Sequence, residues 1–499
     1  MTKQFLVCYN VGKGGKRMLL VTSNILAFVL IVNFVLTFTI IFLERKDPQS
    51  TYAWLLLIWI IPAIGFIFYL LFSQNIARRK IFKLLNQELE TTKKLLDQQK
   101  MHLKREEVPL CNYRDEIYKD MVYYHQNISD AIYTSNNEIQ IFTDGKEKFK
   151  DLFEKILEAK HHIHVEYYII KNDDLGVSLM ELLIKKAQEG VEVRLLFDDM
   201  GGRYIHKSYI TQLTEAGGKV GRFFPSKIPL LNLKVNYRNH RKLVIIDGAI
   251  GYLGGFNVGN EYLGLKESMG YWRDTHIRFK GGAIYDLQLR FILDWRFATK
   301  ENIELTGRYL TDEISNGNVA MQIVSSGPDE VEDQVKEGYL KIINSARNYL
   351  YIQSPYLVPD QSILEALKLA VRSGVDVRIM IPNKPDHPFV YWATTSYAGE
   401  LLREGAKVYI YENGFLHAKT IVADDMVCSV GTCNFDIRSF RLNFEVNGFI
   451  YDEKISIKLK EIFHEDIVYC RELSYEIYTQ RPLVMKFKES ISRLFSPLL

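Results

Sequence analysis

The chain has 499 residues, 63 basic and 60 acidic side chains, and a 47% hydrophobic content. It is long enough for two globular units, and its net charge of +3 is too small to argue for a nucleic-acid partner. Its five cysteines, Cys8, Cys111, Cys428, Cys433 and Cys470, follow neither a disulfide nor a metal spacing, which fits a reducing compartment.

In chain order, residues 1–17 carry Lys13, Lys16 and Arg17 just before residues 18–43, an uncharged apolar run long enough to cross a bilayer. A second apolar run, 52–73, contains Pro62 and Gly65, which membrane helices tolerate. A cleaved signal peptide is too short to explain the first run, and a second span follows at once. The connecting loop balances Arg45 and Lys46 against Glu44 and Asp47, while Arg78, Arg79, Lys80 and Lys83 follow the hairpin. The positive-inside rule then places both flanks in the cytoplasm, with Trp54, Trp59 and Tyr69 as interfacial anchors. Residues 76–110, rich in Leu, Lys, Glu and Gln, read as a charged helical linker. Pairing through Leu84, Leu85, Leu89, Leu95 and Leu96, a solvated spacer and a docked helix all fit that pattern.

Residues 111–300 and 323–480 read as two copies of one α/β unit, joined by a polar linker over 301–322. Strand His164 to Ile170 matches Tyr349 to Tyr356, and helix Leu179 to Glu189 matches Ile363 to Ser373. Strands starting at Gly190 and Gly374 follow, so each half alternates strands and helices as an α/β sandwich does. His161, His162 and His164 cluster at a strand entry but lack the cysteine or carboxylate company of a metal site. Residues 481–499 place Leu483, Val484, Phe487, Ile491, Leu494, Phe495 and Leu498 near one helical face and Lys486, Lys488 and Arg493 towards the other. Such a helix suits an anionic membrane surface or docking onto the protein.

The chemistry lies in a repeated constellation. His240-Arg241-Lys242 is followed by apolar residues 243–246, Asp247, Gly254-Gly255 and Asn257. His417-Ala418-Lys419, residues 420–423, Asp424, Gly431-Thr432 and Asn434 repeat it at the same spacing. On a strand, His240 and Lys242 share one face, as do His417 and Lys419, while Asp247 and Asp424 fall on the other. Imidazole can attack phosphorus or carry a proton, and an ammonium offsets charge on the non-bridging oxygens of a phosphodiester. Asn257 and Asn434 are candidate donors to a phosphoryl oxygen. Asp274 and Glu445, at similar distances past their own histidines, are candidate partners for the second ring nitrogens. Tyr167, Tyr168, Tyr356, Tyr391 and Trp392 are candidate pocket aromatics, although aromatics at strand ends are more often core.

These two His-x-Lys-x4-Asp motifs resemble the phospholipase D superfamily, and Arg238-Asn239-His240-Arg241-Lys242 after an apolar hairpin is similar to the bacterial cardiolipin synthases. The resemblance implies two duplicated α/β/α sandwich halves after a two-helix transmembrane hairpin, with the site between the halves. It also implies a catalytic set of His240, Lys242, Asp247, His417, Lys419 and Asp424, with His240 as nucleophile and His417 as acid/base. The parity of Asp247 and Asp424 points instead to a supporting role. The implied reaction moves a phosphatidyl group from one phosphatidylglycerol to another through a phosphatidyl-histidine, without metal, cofactor or nucleic acid. A membrane-bound phospholipase D carries the same residues, and a non-catalytic membrane scaffold is the alternative of another class.

Overall fold

A computed structural model describes residues 13–44, 48–62, 65, 67–69, 81–82, 84–104, 118–225, 236–311 and 315–498. Outside them lie Cys8, Arg45, Lys46, Asp47, the cluster Arg78, Arg79, Lys80 and Lys83, and Cys111. The chain forms a small N-terminal unit ending at Gln74 and a large unit that starts at Asn75.

In the small unit, helix Lys13–Phe38 runs into a π-helical turn, Thr39–Glu44, and a second helix spans Pro48–Ile60. Asn33 Nδ2 donates to the Ile58 carbonyl at 3.1 Å, and Trp59 Nε1 donates to Thr37 Oγ1 at 3.1 Å. Ile40, Trp54, Ile58 and Tyr69 make a small core, while Phe28, Phe34 and Trp59 stay exposed. Among the described residues no helix is long and apolar enough to cross a membrane. Of the predicted hairpin, the structure shows a helix pair joined by these contacts.

The large unit is built on one 16-stranded sheet. Its first-half order is Thr134–Phe142, His276–Lys280, Ile250–Gly254, Leu243–Ile246, His162–Tyr167, Glu192–Asp198 and Lys219–Phe223. The second half repeats it as Val319–Ser326, Asn443–Tyr451, Val427–Gly431, Thr420–Ala423, Tyr349–Gln353, Asp376–Pro382 and Lys407–Tyr411, with Cys470–Leu473 at the edge. Thr134–Phe142 and Val319–Ser326 pair antiparallel and join the two copies. The halves are thus not separate sandwiches. Ile245, Leu253 and Ile277 of the first share a buried layer with Val430, Val446 and Ile450 of the second. At roughly 1.5–3 kcal/mol per buried aliphatic side chain, that layer opposes separation of the halves.

Two boundaries differ from the sequence reading, and one alternative it left open is decided. Strand Val319–Ser326 starts inside the stretch read as a polar linker, because Val319, Met321 and Ile323 alternate into the shared layer. Residues 118–133, assigned to the first half, pack Tyr118, Met121, Val122 and Tyr133 into the second-half core. Helix Asn86–Lys104, in the predicted linker, is docked: Glu88 pairs with Arg296, and Gln99 Nε2 donates to the Tyr133 carbonyl at 2.8 Å. The His cluster is structural, with Gln288 placed between His162 Nε2 and His164 Nδ1 and Tyr309 packed against both rings.

Asp247 and Asp424 occupy matching left-handed turns at the ends of their motif strands, a conformation a short polar side chain tolerates. Asp247 accepts from the backbone N–H groups of Lys160, His161 and His162, at 2.8 to 2.9 Å. Asp424 does the same for Arg347, Asn348 and Tyr349, at 2.6 to 2.8 Å. Each thereby fixes the start of the neighbouring antiparallel strand. Asp247→Ala leaves three N–H groups without their acceptor and is expected to cost about 1–3 kcal/mol of stability. The denaturant midpoint should fall accordingly, while the folded fraction keeps its specific activity.

Candidate active site

Two short parallel pairings set the site. Arg238–Asn239 pairs with Asn443 and Phe444, in the register Arg238 opposite Asn443 and Asn239 opposite Phe444. The next residues in that register are His240 and Glu445. Gly414–Leu416 pairs with Tyr271–Arg273, with Leu416 opposite Arg273, so the next residues are His417 and Asp274. Each histidine therefore meets a carboxylate from the other half. His240 Nδ1 lies 2.8 and 3.0 Å from the two Glu445 oxygens, and His417 Nδ1 lies 2.6 Å from Asp274 Oδ2. The sequence spacing pairs each acid with the histidine of its own half, and the structure corrects that assignment.

Both carboxylates are held on every side. Glu445 also accepts from Thr432 Oγ1 at 2.5 Å and Asn443 Nδ2 at 3.1 Å, and Asp274 from the Thr275 N–H at 2.8 Å. A Cβ on Gly255 would overlap Asp274 Oδ1, so only glycine admits this acid. Burial pushes Glu445 and Asp274 up, but His240 and Lys242 around the first, and Lys419 and His417 around the second, bring both below the ordinary carboxylate range. They are therefore ionised acceptors, Nδ1–H must be the donor in each ring, and each Nε2 lone pair is free for chemistry. Burial pushes both imidazoles down to about 4, against the upward pull of their carboxylates.

Alternation puts Lys242 and Lys419 beside the rings. Lys242 Nζ donates to the His240 carbonyl at 2.6 Å, and Lys419 Nζ donates to the His417 carbonyl. Both are buried, and among the described residues neither ammonium has a salt-bridge partner. Burial pushes Lys242 down to about 7 and Lys419 to about 8. Lys419 acts on His240 and Lys242 acts on His417, so the two motifs share one electrostatic neighbourhood. Glu445 and Asp274 act on both ammoniums from beyond salt-bridge contact, so two buried cations with no carboxylate against them form a cradle for an anion.

The remaining candidates are placed differently. Among the described residues, the Asp247 and Asp424 carboxylates bond only to the strand entries described above and do not join the histidines. Asn257 Nδ2 donates to Tyr262 Oη at 2.9 Å and its Oδ1 accepts from the Ile169 N–H at 3.1 Å, so its amide organises the loop. Asn434 Nδ2 donates to Ser439 Oγ at 3.1 Å, while its Oδ1 is buried without a partner. Tyr168 lies edge-on to His240 at 5.2 Å, and it lines a cavity of about 370 Å³ together with His240 and Tyr356. Tyr167 is core, its hydroxyl accepting from Lys148 Nζ at 2.7 Å. Trp392 stacks under Lys488, and neither it nor Tyr391 lines that cavity.

The sequence reading missed the groups that brace the motifs from behind. Arg241, between the two site residues, points the opposite way and donates to both Asp294 oxygens at 2.9 Å, to the Glu445 carbonyl and to the Ser326 carbonyl. Arg273 likewise donates to Asp466. Asn239 is fixed by Glu166 Oε1 and Asp198 Oδ2. Strand parity offered a signal: a charged residue inside a buried strand needs a buried partner.

The family described as cardiolipin synthase, PLD-like domain matches residues 152–276 and 339–467, one match per half. The chain is 52% identical over 480 residues to the cardiolipin synthase of Oceanobacillus iheyensis, covering 96% of this chain and 100% of that protein. The chain belongs to the PLD-like cardiolipin synthase family. The major cardiolipin synthase ClsA of Bacillus subtilis is 51% identical, again over 96% of this chain and 100% of that one. Residues 31–74 match the phospholipase D-nuclease N-terminal family. The phosphatidylserine synthase of Haemophilus influenzae Rd KW20 superposes with a TM-score of 0.58 at 15% identity, over 78% of this chain and 100% of that one. That likeness concerns the fold. In this member of the cardiolipin synthase family, crossed pairing makes Glu445→Gln act on His240 rather than on His417. Removing the carboxylate should lower the His240 pKa further, leave the His417 titration in place by histidine-selective NMR, and reduce turnover on the order of 10²- to 10⁴-fold.

Proposed function

We propose that this enzyme makes cardiolipin by moving a phosphatidyl group from one phosphatidylglycerol to the glycerol hydroxyl of another. The observation that carries this is the pair of buried ammoniums, neither in a salt bridge among the described residues, beside two carboxylate-oriented imidazoles, one set from each half. Lys242 and Lys419 hold the non-bridging oxygens of the donor phosphodiester. One imidazole, His240 by family resemblance, attacks: its Nε2–P bond forms, the P–O bond to the headgroup glycerol breaks, and that oxygen takes a proton from His417. In the second step the acceptor hydroxyl gives its proton to His417, its oxygen bonds phosphorus, and the N–P bond breaks. One phosphodiester replaces another, so no nucleotide is consumed. Neutral imidazoles suit the attacking role, and the arriving anion raises the proton affinity of the acid/base ring.

Membrane attachment follows from surfaces at both ends. The N-terminal helix pair, with Phe28, Phe34 and Phe38 exposed, is proposed to embed in the bacterial cell membrane with its basic flanks and the large unit in the cytoplasm. Helix Leu483–Leu494 docks by its polar face, where Glu489 is bonded by Arg481 and Thr395 and Arg493 pairs with Glu400. Leu483, Val484 and Phe487 are left 81%, 66% and 67% exposed. We infer that this apolar face rests in the bilayer interface. A quencher-sensitive fluorophore at Phe487→Cys should then be quenched by brominated lipid in proteoliposomes, and an unquenched probe would remove that contact.

The decisive assay gives the full chain vesicles of labelled phosphatidylglycerol and separates the lipids. Cardiolipin with equimolar glycerol is expected; phosphatidic acid instead would make it a phospholipase D, and unchanged lipid a scaffold. His240→Ala and His417→Ala should each abolish turnover with the fold intact. With a lipid bearing a good leaving group, His417→Ala should keep a burst that His240→Ala lacks. The pH profile has a definite sign. Lys242 and Lys419 lose their charge as pH rises through about 7 and about 8, so kcat/KM should fall on the alkaline side.

A further inference from the structure

Phosphatidyl transfer between two phosphatidylglycerols brings two anions together, and the Lys242–Lys419 cradle serves only the phosphorus being transferred. Beside it, the cavity of about 370 Å³ that opens on His240 draws Arg238 from the first half and Arg438 from the second. We propose that this cavity seats the acceptor lipid's own phosphodiester, gripped by Arg238 and Arg438, with its glycerol hydroxyls read by Asn434 and Asn443. This rests on the phosphatidyl-transfer reading above.

The two guanidiniums line the same cavity, with the charge of Asp198 acting on Arg238 and that of Asp436 on Arg438, neither in salt-bridge contact. Arg438 donates to Asn236 Oδ1 and to the Asn236 carbonyl, both at 3.0 Å, and Arg238 donates to the Tyr237 carbonyl at 3.0 Å. Among the described residues neither has a salt-bridge partner. Burial and the facing Arg238 push Arg438 below its ordinary value, as expected of cations gathered before their anion arrives. The other titratable groups on the cavity wall are His240, His387, Asp436, Tyr168 and Tyr356. Burial pushes Asp436 and Asp198 up to about 6 each, and both are already engaged, Asp436 by the Ser439 N–H at 2.5 Å and Asp198 by the N–H groups of Asn239, Met200 and Gly201, so neither closes onto a guanidinium. The guanidinium fork matches phosphate oxygens in geometry as well as charge.

The cavity also holds acceptors with nothing to accept. Asn443 Nδ2 donates to Glu445, an acceptor-only partner that fixes the amide, and its Oδ1 is buried without a partner. Asn434 Oδ1 is in the same position. Two unsatisfied buried carbonyls call for hydroxyl donors. A phosphodiester that carries a diol supplies both halves of this demand, whereas a headgroup ending in an ammonium would meet the arginine pair with like charge. His240 lines the same cavity as the two arginines, and a glycerol bridge joins the acceptor's phosphate to the hydroxyl that attacks.

The test compares two rates of the full chain in phosphatidylglycerol vesicles. Exchange of labelled free glycerol into phosphatidylglycerol involves one phosphate, and cardiolipin formation involves two. Arg438→Gln and Arg238→Gln are each expected to cut cardiolipin formation about tenfold or more, raise its KM for phosphatidylglycerol, and leave glycerol exchange within about twofold. Arg438→Lys should recover part of the loss. A parallel fall of both rates, or unchanged cardiolipin formation, overturns the proposal, and if one glutamine variant fails to fold the other decides. A wild-type chain that makes no cardiolipin and exchanges no glycerol would instead remove the phosphatidyl-transfer reading itself.

Discussion

The exchange of carboxylates between the halves, Glu445 to His240 and Asp274 to His417, is the interaction on which the rest of this structure depends. Neither half can orient its own imidazole. The parallel pairing of 238–239 with 443–444, and of 414–416 with 271–273, makes the register of one half the ruler for the other. The residues that alternate with the site groups extend the exchange backwards. Arg241 reaches both Asp294 in its own half and the backbone of Glu445, and Arg273 reaches Asp466. Site geometry and the cohesion of the halves are therefore one set of contacts, and a shift in strand register would disturb both.

That arrangement tolerates an electrostatic arrangement unfavourable to the empty protein. Among the described residues, Lys242 and Lys419 have only their own histidine carbonyls as hydrogen-bond partners in a buried space, and Glu445 and Asp274 act on them from beyond salt-bridge contact. Burying a cation without a paired anion costs several kcal/mol. The shared aliphatic layer and the capped strand entries offset that cost, so the cradle stays open for a phosphate rather than closing on an internal carboxylate. Placing the carboxylates behind the rings orients the imidazoles and leaves the space in front of the ammoniums free.

The duplication and the catalytic pair were legible because their signal is local: a His-x-Lys parity on a β-branched strand, repeated at one spacing. Asp247 and Asp424 showed the same parity signal, and the structure puts them at the turns. What the sequence could not disclose was pairing between distant strands. Asp274 and Glu445 lie at similar offsets from their own histidines, so spacing favours the wrong partner, and only the sheet register crosses them. The same limit hid the allegiance of residues 118–133, whose Met121 and Val122 are apolar enough for either core. Asn257 and Asn434 misled for another reason: an amide beside a site donates to whatever accepts nearby, and Tyr262 and Ser439 are closer to hand.

A duplicated site would be chemically symmetric if its flanks matched, and they do not. The residue two before the histidine is Arg238 in one copy and Phe415 in the other, and the residue after it is Arg241 in one and Ala418 in the other. Around His417 the walls are aromatic, with Trp272 at 5.3 Å, Phe415 at 6.0 Å and Tyr262 at 6.4 Å. Around His240, Tyr168 and Tyr356 share the wall with two arginines and two amides. Two imidazoles of the same chemistry thus look out on unlike surroundings, one suited to apolar substance and the other to a charged, hydroxylated headgroup. The proposed transfer needs that distinction, since its donor and acceptor are the same lipid and only their placement can give them different roles.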